Sequence, residues 1–222
     1  MVDKALYIIL SIFDAAAMII LMFKLYRLPI MMYAKRISVL ALIITLSSYF
    51  FRVEISIAYL DLPIQYLIFV LFLRYVIRMK FHYSAFVAAA GMLGFFNIQL
   101  LIYYFFDASG ALDSSIVKEI SGMAVYAVQV STEVAIFLLS FILWKFNLGF
   151  SFIIIPPHDF SDKEDFTSRQ NIEMISSTLI SVITIFAAII FLNYGYMFPL
   201  ILLAIISFGL SYYFSRKGDM QW

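Results

Sequence analysis

The chain has 222 residues, of which 64% are hydrophobic and 13% charged, with a formal net charge of +1. A soluble domain is about half apolar and about a quarter charged, and a globule this small keeps too much surface outside for such a composition to face water. Lipid is therefore the expected solvent, and the lack of any cysteine excludes disulfides, thiolate metal sites and cysteine nucleophiles.

Runs of about 20 mostly apolar residues mark helical membrane spans. Seven are predicted, at residues 5–24, 37–58, 62–79, 83–106, 118–146, 172–193 and 196–215, within one transmembrane domain covering 1–222. The first run carries Asp14 near its centre and no small-residue cleavage site, so it reads as a span and not as a signal peptide. Asp61-Leu62-Pro63 is expected to turn the chain between the second and third spans, Met79-Lys80-Phe81 between the third and fourth, and Asn193-Tyr194-Gly195 between the last two. In the fourth span, Ala88-Ala89-Ala90-Gly91 and Gly94 form a small-residue stripe that predicts a close helix crossing.

Residues 147–171, between spans five and six, form the one sizeable loop. Its first half, Phe150 to Ile155, is apolar up to Pro156-Pro157 and suits an interfacial segment or the ragged end of span five. Its second half is charged, and Asp162-Lys163-Glu164-Asp165 before Asn171 resembles a helix start, where carboxylates are favoured by the helix dipole. The loop reads first as a solvated connector and second as a docking site for a partner.

Basic residues near span ends are retained in the cytoplasm. Lys24, Arg27, Lys35, Arg36, Arg74, Arg78, Lys80, Lys145, Lys163, Arg169, Arg216 and Lys217 all fall on one side of the predicted topology, and only Lys4, Arg52 and Lys118 on the other. The N-terminus is thus expected outside and the C-terminus in the cytoplasm, in a multi-pass protein of a bacterial cytoplasmic membrane.

Ionisable residues inside spans are costly and usually face the bundle interior. Asp14, Arg52, Glu54 and Glu133 are the candidates, and the depths of their spans let Arg52 reach Asp14 or Glu133. Gln129 and Glu133 share one helix face at i and i+4, with Tyr126 a turn earlier. Asn97 adds a polar group in span four, and Gln99, two residues on, must point elsewhere. With Tyr103 and Tyr104 nearby, these residues predict a polar, aromatic-rimmed cavity in the outer half, whose ligand-binding set is Asp14, Arg52, Glu54, Asn97, Gln129 and Glu133. Equally, the charges could neutralise one another as glue between helices, or a carboxyl could be protonated.

No Gly-Xaa-Ser-Xaa-Gly, no His-Glu-Xaa-Xaa-His and no phosphate-cradling glycine loop occurs, so the chain reads as non-enzymatic, without a cofactor and without a nucleic-acid partner. His82 and His158, each in a cytoplasmic loop, make no metal site.

The close spacing of the spans and the basic turn leading into an aromatic-rich span, Tyr75-Val76-Ile77-Arg78-Met79-Lys80-Phe81-His82-Tyr83-Ser84, resemble the N-terminal membrane sensor domains of accessory-gene-regulator C-type peptide-pheromone receptor histidine kinases. In that family a dimerising helix, a phosphoacceptor histidine and an ATP-binding domain follow the last span, whereas here Gly218-Asp219-Met220-Gln221-Trp222 follows. The resemblance implies a receptor module that signals through another protein. The leading expectation is a sensor or accessory subunit that binds a hydrophobic or peptide ligand from outside, as a homodimer or with a kinase or transporter subunit. A small transporter built on the same charges, and a structural or assembly protein, are the alternatives.

Overall fold

Small side chains decide which helix occupies the middle of the molecule. The computed structural model describes residues 4–111, 122–154 and 166–220. It is all-helical, with seven helices long and apolar enough to cross a membrane. They are α1 (Lys4–Leu25), α2 (Ile30–Tyr49), α3 (Asp61–Tyr75), α4 (Phe81–Ala108), α5 (Met123–Phe146), α6 (Arg169–Tyr194) and α7 (Met197–Asp219). The apolar stretch of α4 is 72% buried, against 22% to 44% for the other six, and α4 packs on α1, α3, α5, α6 and α7. Its alanine and glycine stripe is what lets so many neighbours approach.

At Gly91 the approach is closest: a Cβ added there would stand 2.8 Å from Cβ and Cγ of Met22 on α1, and one at Gly94 would stand 3.1 Å from the Phe208 ring on α7. The close crossing expected from the stripe is therefore present. Gly91→Leu is expected to cost about 1–3 kcal/mol through overpacking, seen as a lowered unfolding temperature in detergent. An unchanged midpoint would show that the crossing has slack.

A row of hydroxyls joins α6 to α7. Ser177 and Ser181 each lie 3.2 Å from Ser211, and Thr184 lies 2.5 Å from Ser207. Ser215, the next step along α7, meets the Tyr26 hydroxyl at 3.2 Å. All five serines and Thr184 are buried, so short hydroxyls satisfy one another while bringing the two backbones together.

We name the two ends of the bundle after Lys4 and Lys24, which mark the ends of α1. Every described lysine and arginine except Lys4 and Arg52 lies at the Lys24 end. There the apolar segment after α5 is not a ragged helix end. Asn147 closes α5 in the left-handed region (φ 51°), and Phe150, Phe152 and Ile153 then turn into the bundle and are buried. Phe150 N–H donates to Leu25 O at 2.7 Å, and the Asp219 carboxylate accepts from the Ser151 and Phe152 amides, each at 2.7 Å. Gly149 and Gly218 clear the space, since a Cβ on Gly218 would come within 2.8 Å of the Phe152 ring.

Helix boundaries differ from expectation in informative ways. α2 begins at Ile30, directly after Pro29, so Lys35 and Arg36 sit within its first turns. Beyond Tyr49 it widens into a π-helical turn, Phe50–Glu54, followed by a 3₁₀ turn, Ala58–Leu60. Asp61 is not a turn residue: it opens α3, with Pro63 in the first turn, where a missing amide hydrogen costs nothing. His82 likewise lies in the first turn of α4 and is buried beside the Tyr83 and Phe166 rings instead of standing in a loop. α6 starts at Arg169 under a Ser168 cap that accepts from the Asn171 amide. The acidic start at Asp162 to Asp165, together with His158, Lys163, Lys118 and the first residues predicted for span five, lies outside the described residues.

Candidate functional site

Polar residues that recur every three or four positions end on one helix face, and several such faces converge in the Lys4 half of the bundle. They enclose a cavity of about 270 Å³ to which all seven helices contribute. Tyr7, Ser11, Asp14, Ala15 and Met18 form its α1 wall; Ile44, Thr45 and Ser48 its α2 wall, continued by Arg52 of the π turn. Leu62 and Gln65 come from α3, Met92, Phe95, Phe96, Gln99, Leu100 and Tyr103 from α4, and Val125, Val128 and Gln129 from α5. Ile185, Ala188, Leu192 and Met197 of α6 and α7 close it.

Its polar wall is organised by one carboxylate. Asp61, fully buried, receives the Arg52 guanidinium through Nε, the Ser48 hydroxyl at 3.0 Å and the Gln65 amide at 2.8 Å. Because Ser48 spends its only hydrogen on Asp61, the Tyr7 hydroxyl 3.3 Å away must donate to Ser48. The chain of bonds thereby ties α1, α2 and α3 together. The π turn supports the geometry: bonds such as Ile55 N–H to Phe50 O, at 2.9 Å, span one residue more than in an α-helix and set the direction in which Arg52 leaves the backbone.

Three of the six candidate residues, Asp14, Arg52 and Gln129, line this cavity together. Glu133 is buried one turn further along α5, within electrostatic reach of Asp14. Glu54 does not join them. It stands at the exposed rim of the Lys4 end, where it accepts from the Tyr49 hydroxyl at 2.6 Å and pairs with Lys4 at 3.3 Å. Asn97 turns to α7 instead and donates to Ala204 O at 3.0 Å, while Gln99 faces the cavity, so the two do diverge. Arg52, expected to reach Asp14 or Glu133, shares the cavity wall with Asp14 but takes Asp61 as its ion-pair partner. Of the two tyrosines, Tyr103 lines the cavity and Tyr104 is exposed.

Arg52 lies within electrostatic reach of Asp14 as well, but its hydrogen bond goes to Asp61. Asp14 Oδ1 and Glu133 Oε1 are buried without a hydrogen-bond partner among the described residues, as is the Thr45 hydroxyl. Buried polar groups are nearly always paired, so such atoms mark a place where something else can bind. Among the described residues, no group of three His, Asp or Glu side chains comes together to hold a metal. The residues that sequence reasoning missed are Asp61, Gln65, Ser48 and Thr45. Ser48 and Thr45 were legible as polar positions on the cavity face of α2, but Asp61 was hidden by the turn-like sequence around Pro63. The chain matches no protein-family model, no curated protein and no solved structure.

Proposed function

We propose that this chain is a multi-pass protein of a bacterial cell membrane, with the Lys4 end outside and the Lys24 end in the cytoplasm. The basic residues gathered at the Lys24 end support that orientation. In this reading the chain is not an enzyme. It is a sensor or accessory subunit that takes a small, largely apolar ligand into the outer half of the bundle and signals to a cytoplasmic protein, a kinase or a transporter subunit, with or without a second copy of itself.

The observation that carries the proposal is the cavity of about 270 Å³, lined by every helix and placed opposite the basic end. Small-molecule sites run from about 300 to 1,000 Å³. The cavity therefore suits a small molecule, or one anchoring side chain of a peptide, better than a whole peptide. α1 supports the link to the cytoplasm, because it forms one cavity wall and its last carbonyl holds the Phe150 segment.

Native mass spectrometry of the chain released from its own membranes would read a bound molecule directly. Ala188→Phe, which fills the cavity, is expected to lower occupancy by about tenfold or more, the change that about 1.4 kcal/mol of lost binding brings. Occupancy unchanged in the filled variant would remove the cavity from consideration. A second reading, a small carrier, is favoured by the deeper carboxyl of Glu133. It requires flux of the bound molecule into vesicles that Glu133→Gln abolishes, whereas a sensor binds saturably without flux.

A further inference from the structure

The charges around the cavity do not cancel, and the remainder has a sign. Two acids, Asp14 and Asp61, share the one guanidinium of Arg52, which is hydrogen-bonded to Asp61, and Lys4 is committed to Glu54 at the rim. Asp14 Oδ1 is left on the cavity wall with no hydrogen-bond partner among the described residues, and a further carboxyl, Glu133, lies within its electrostatic reach. An independent observation points the same way: Thr45, 1% exposed, lines the same cavity, and its hydroxyl also lacks a partner. A carboxyl in such a place takes up a proton or a cation, and a cation that donates several hydrogens would satisfy both Asp14 and Thr45.

The wall facing Asp14's helix says which kind of cation. A bare metal ion would want a closed shell of oxygens, whereas the α4 side of this cavity offers Met92, Phe95, Phe96 and Leu100, with Met18 of α1 beside them. Aromatic faces attract ammonium groups, and apolar side chains cover a hydrocarbon body. We infer that the cavity is a site for a small organic amine, with its ammonium group held by Asp14 and Thr45 and its apolar body packed against α4. This rests on the cavity being a ligand site, as proposed above, and adds the ligand's class and the residue that selects it.

The test uses the full chain in lipid nanodiscs and three probes that share one ring and differ in head charge: phenethylamine, phenethyl alcohol and phenylacetate. Equilibrium dialysis is expected to show the amine binding at least about tenfold tighter than the alcohol, the discrimination that about 1.4 kcal/mol provides. Phenylacetate should bind worst, and Asp14→Asn, nearly the same shape, should bring amine and alcohol to equal affinity. If the alcohol or phenylacetate binds as tightly as the amine, and Ala188→Phe abolishes that binding, the cavity stands and the assignment to amines falls. Amine binding that Asp14→Asn leaves unchanged also overturns the assignment. Binding of none of the three to the unaltered chain overturns both. The comparison among probes on the unaltered chain holds whatever Asp14→Asn does to folding.

Discussion

Asp61→Ala should destabilise the bundle by about 3 kcal/mol, near the lower end of what breaking a buried ion pair costs. The carboxylate is 0% exposed and accepts from Arg52, Ser48 and Gln65. Alanine leaves two buried neutral donors without an acceptor and a guanidinium without its counter-charge. The side chain of Arg52 is 40% exposed, so it regains some solvation, and this keeps the cost from the upper end of the range. The measurement is denaturant unfolding in mixed micelles, run as a cycle with Arg52→Leu. A double variant more stable than Asp61→Ala alone would show that the stranded cation was the main penalty. A single-variant loss below about 0.5 kcal/mol, typical of surface positions, would mean that the network does not hold α2 and α3 together.

The second large effect is expected at Gly149. Alanine there would place its Cβ 2.3 Å from Lys24 O and 3.0 Å from Leu25 O, both backbone atoms at the end of α1 that cannot swing aside. The connector would have to lift, breaking the bond from Phe150 N–H to Leu25 O and withdrawing Phe150, Phe152 and Ile153 from the core. Burying one such side chain is worth about 1.5–3 kcal/mol. Partial withdrawal of three makes a loss of about 3 kcal/mol the expected result. Limited proteolysis should then cut within 147–154 while the helices stay protected. A Gly149→Ala chain that unfolds and resists protease as the unaltered chain does would show that this segment has room to spare.

Sequence reading reached the seven helices because hydropathy over a span is a sum of many residues, and no single misjudged position alters it. It reached the cavity half for a related reason: polar side chains inside apolar helices stand out against lipid. What it missed depends on pairs. Asp61-Leu62-Pro63 carries the composition of a turn, and only the neighbouring α2 shows that Asp61 is the acceptor for Arg52. Phe150 to Ile155 looks interfacial on its own, and the burial of Phe150, Phe152 and Ile153 depends on space cleared by Gly149 and Gly218, the latter far away in the chain. The hydroxyl row was present as a helical spacing, at Ser177, Ser181 and Thr184 and again at Ser207, Ser211 and Ser215. Each half is unremarkable until α6 and α7 are laid side by side. Asn97 and Glu54 were recognised as polar, but whether a polar residue faces a cavity, a neighbouring backbone or the rim is set by rotation of the helix, which composition does not carry.

The latch at Asp219 places three parts of the chain in mechanical series. Asp219 holds the amides of Ser151 and Phe152, and the residue just before them, Phe150, is bonded to the last carbonyl of α1. From Leu25 back to Asp14, α1 is an unbroken rod of about 16 Å. A helix is stiff along its axis, so any axial displacement of α1 at the cavity is carried toward Leu25. The first joint able to yield is then the seat of Phe150, and beyond it the tail of α7.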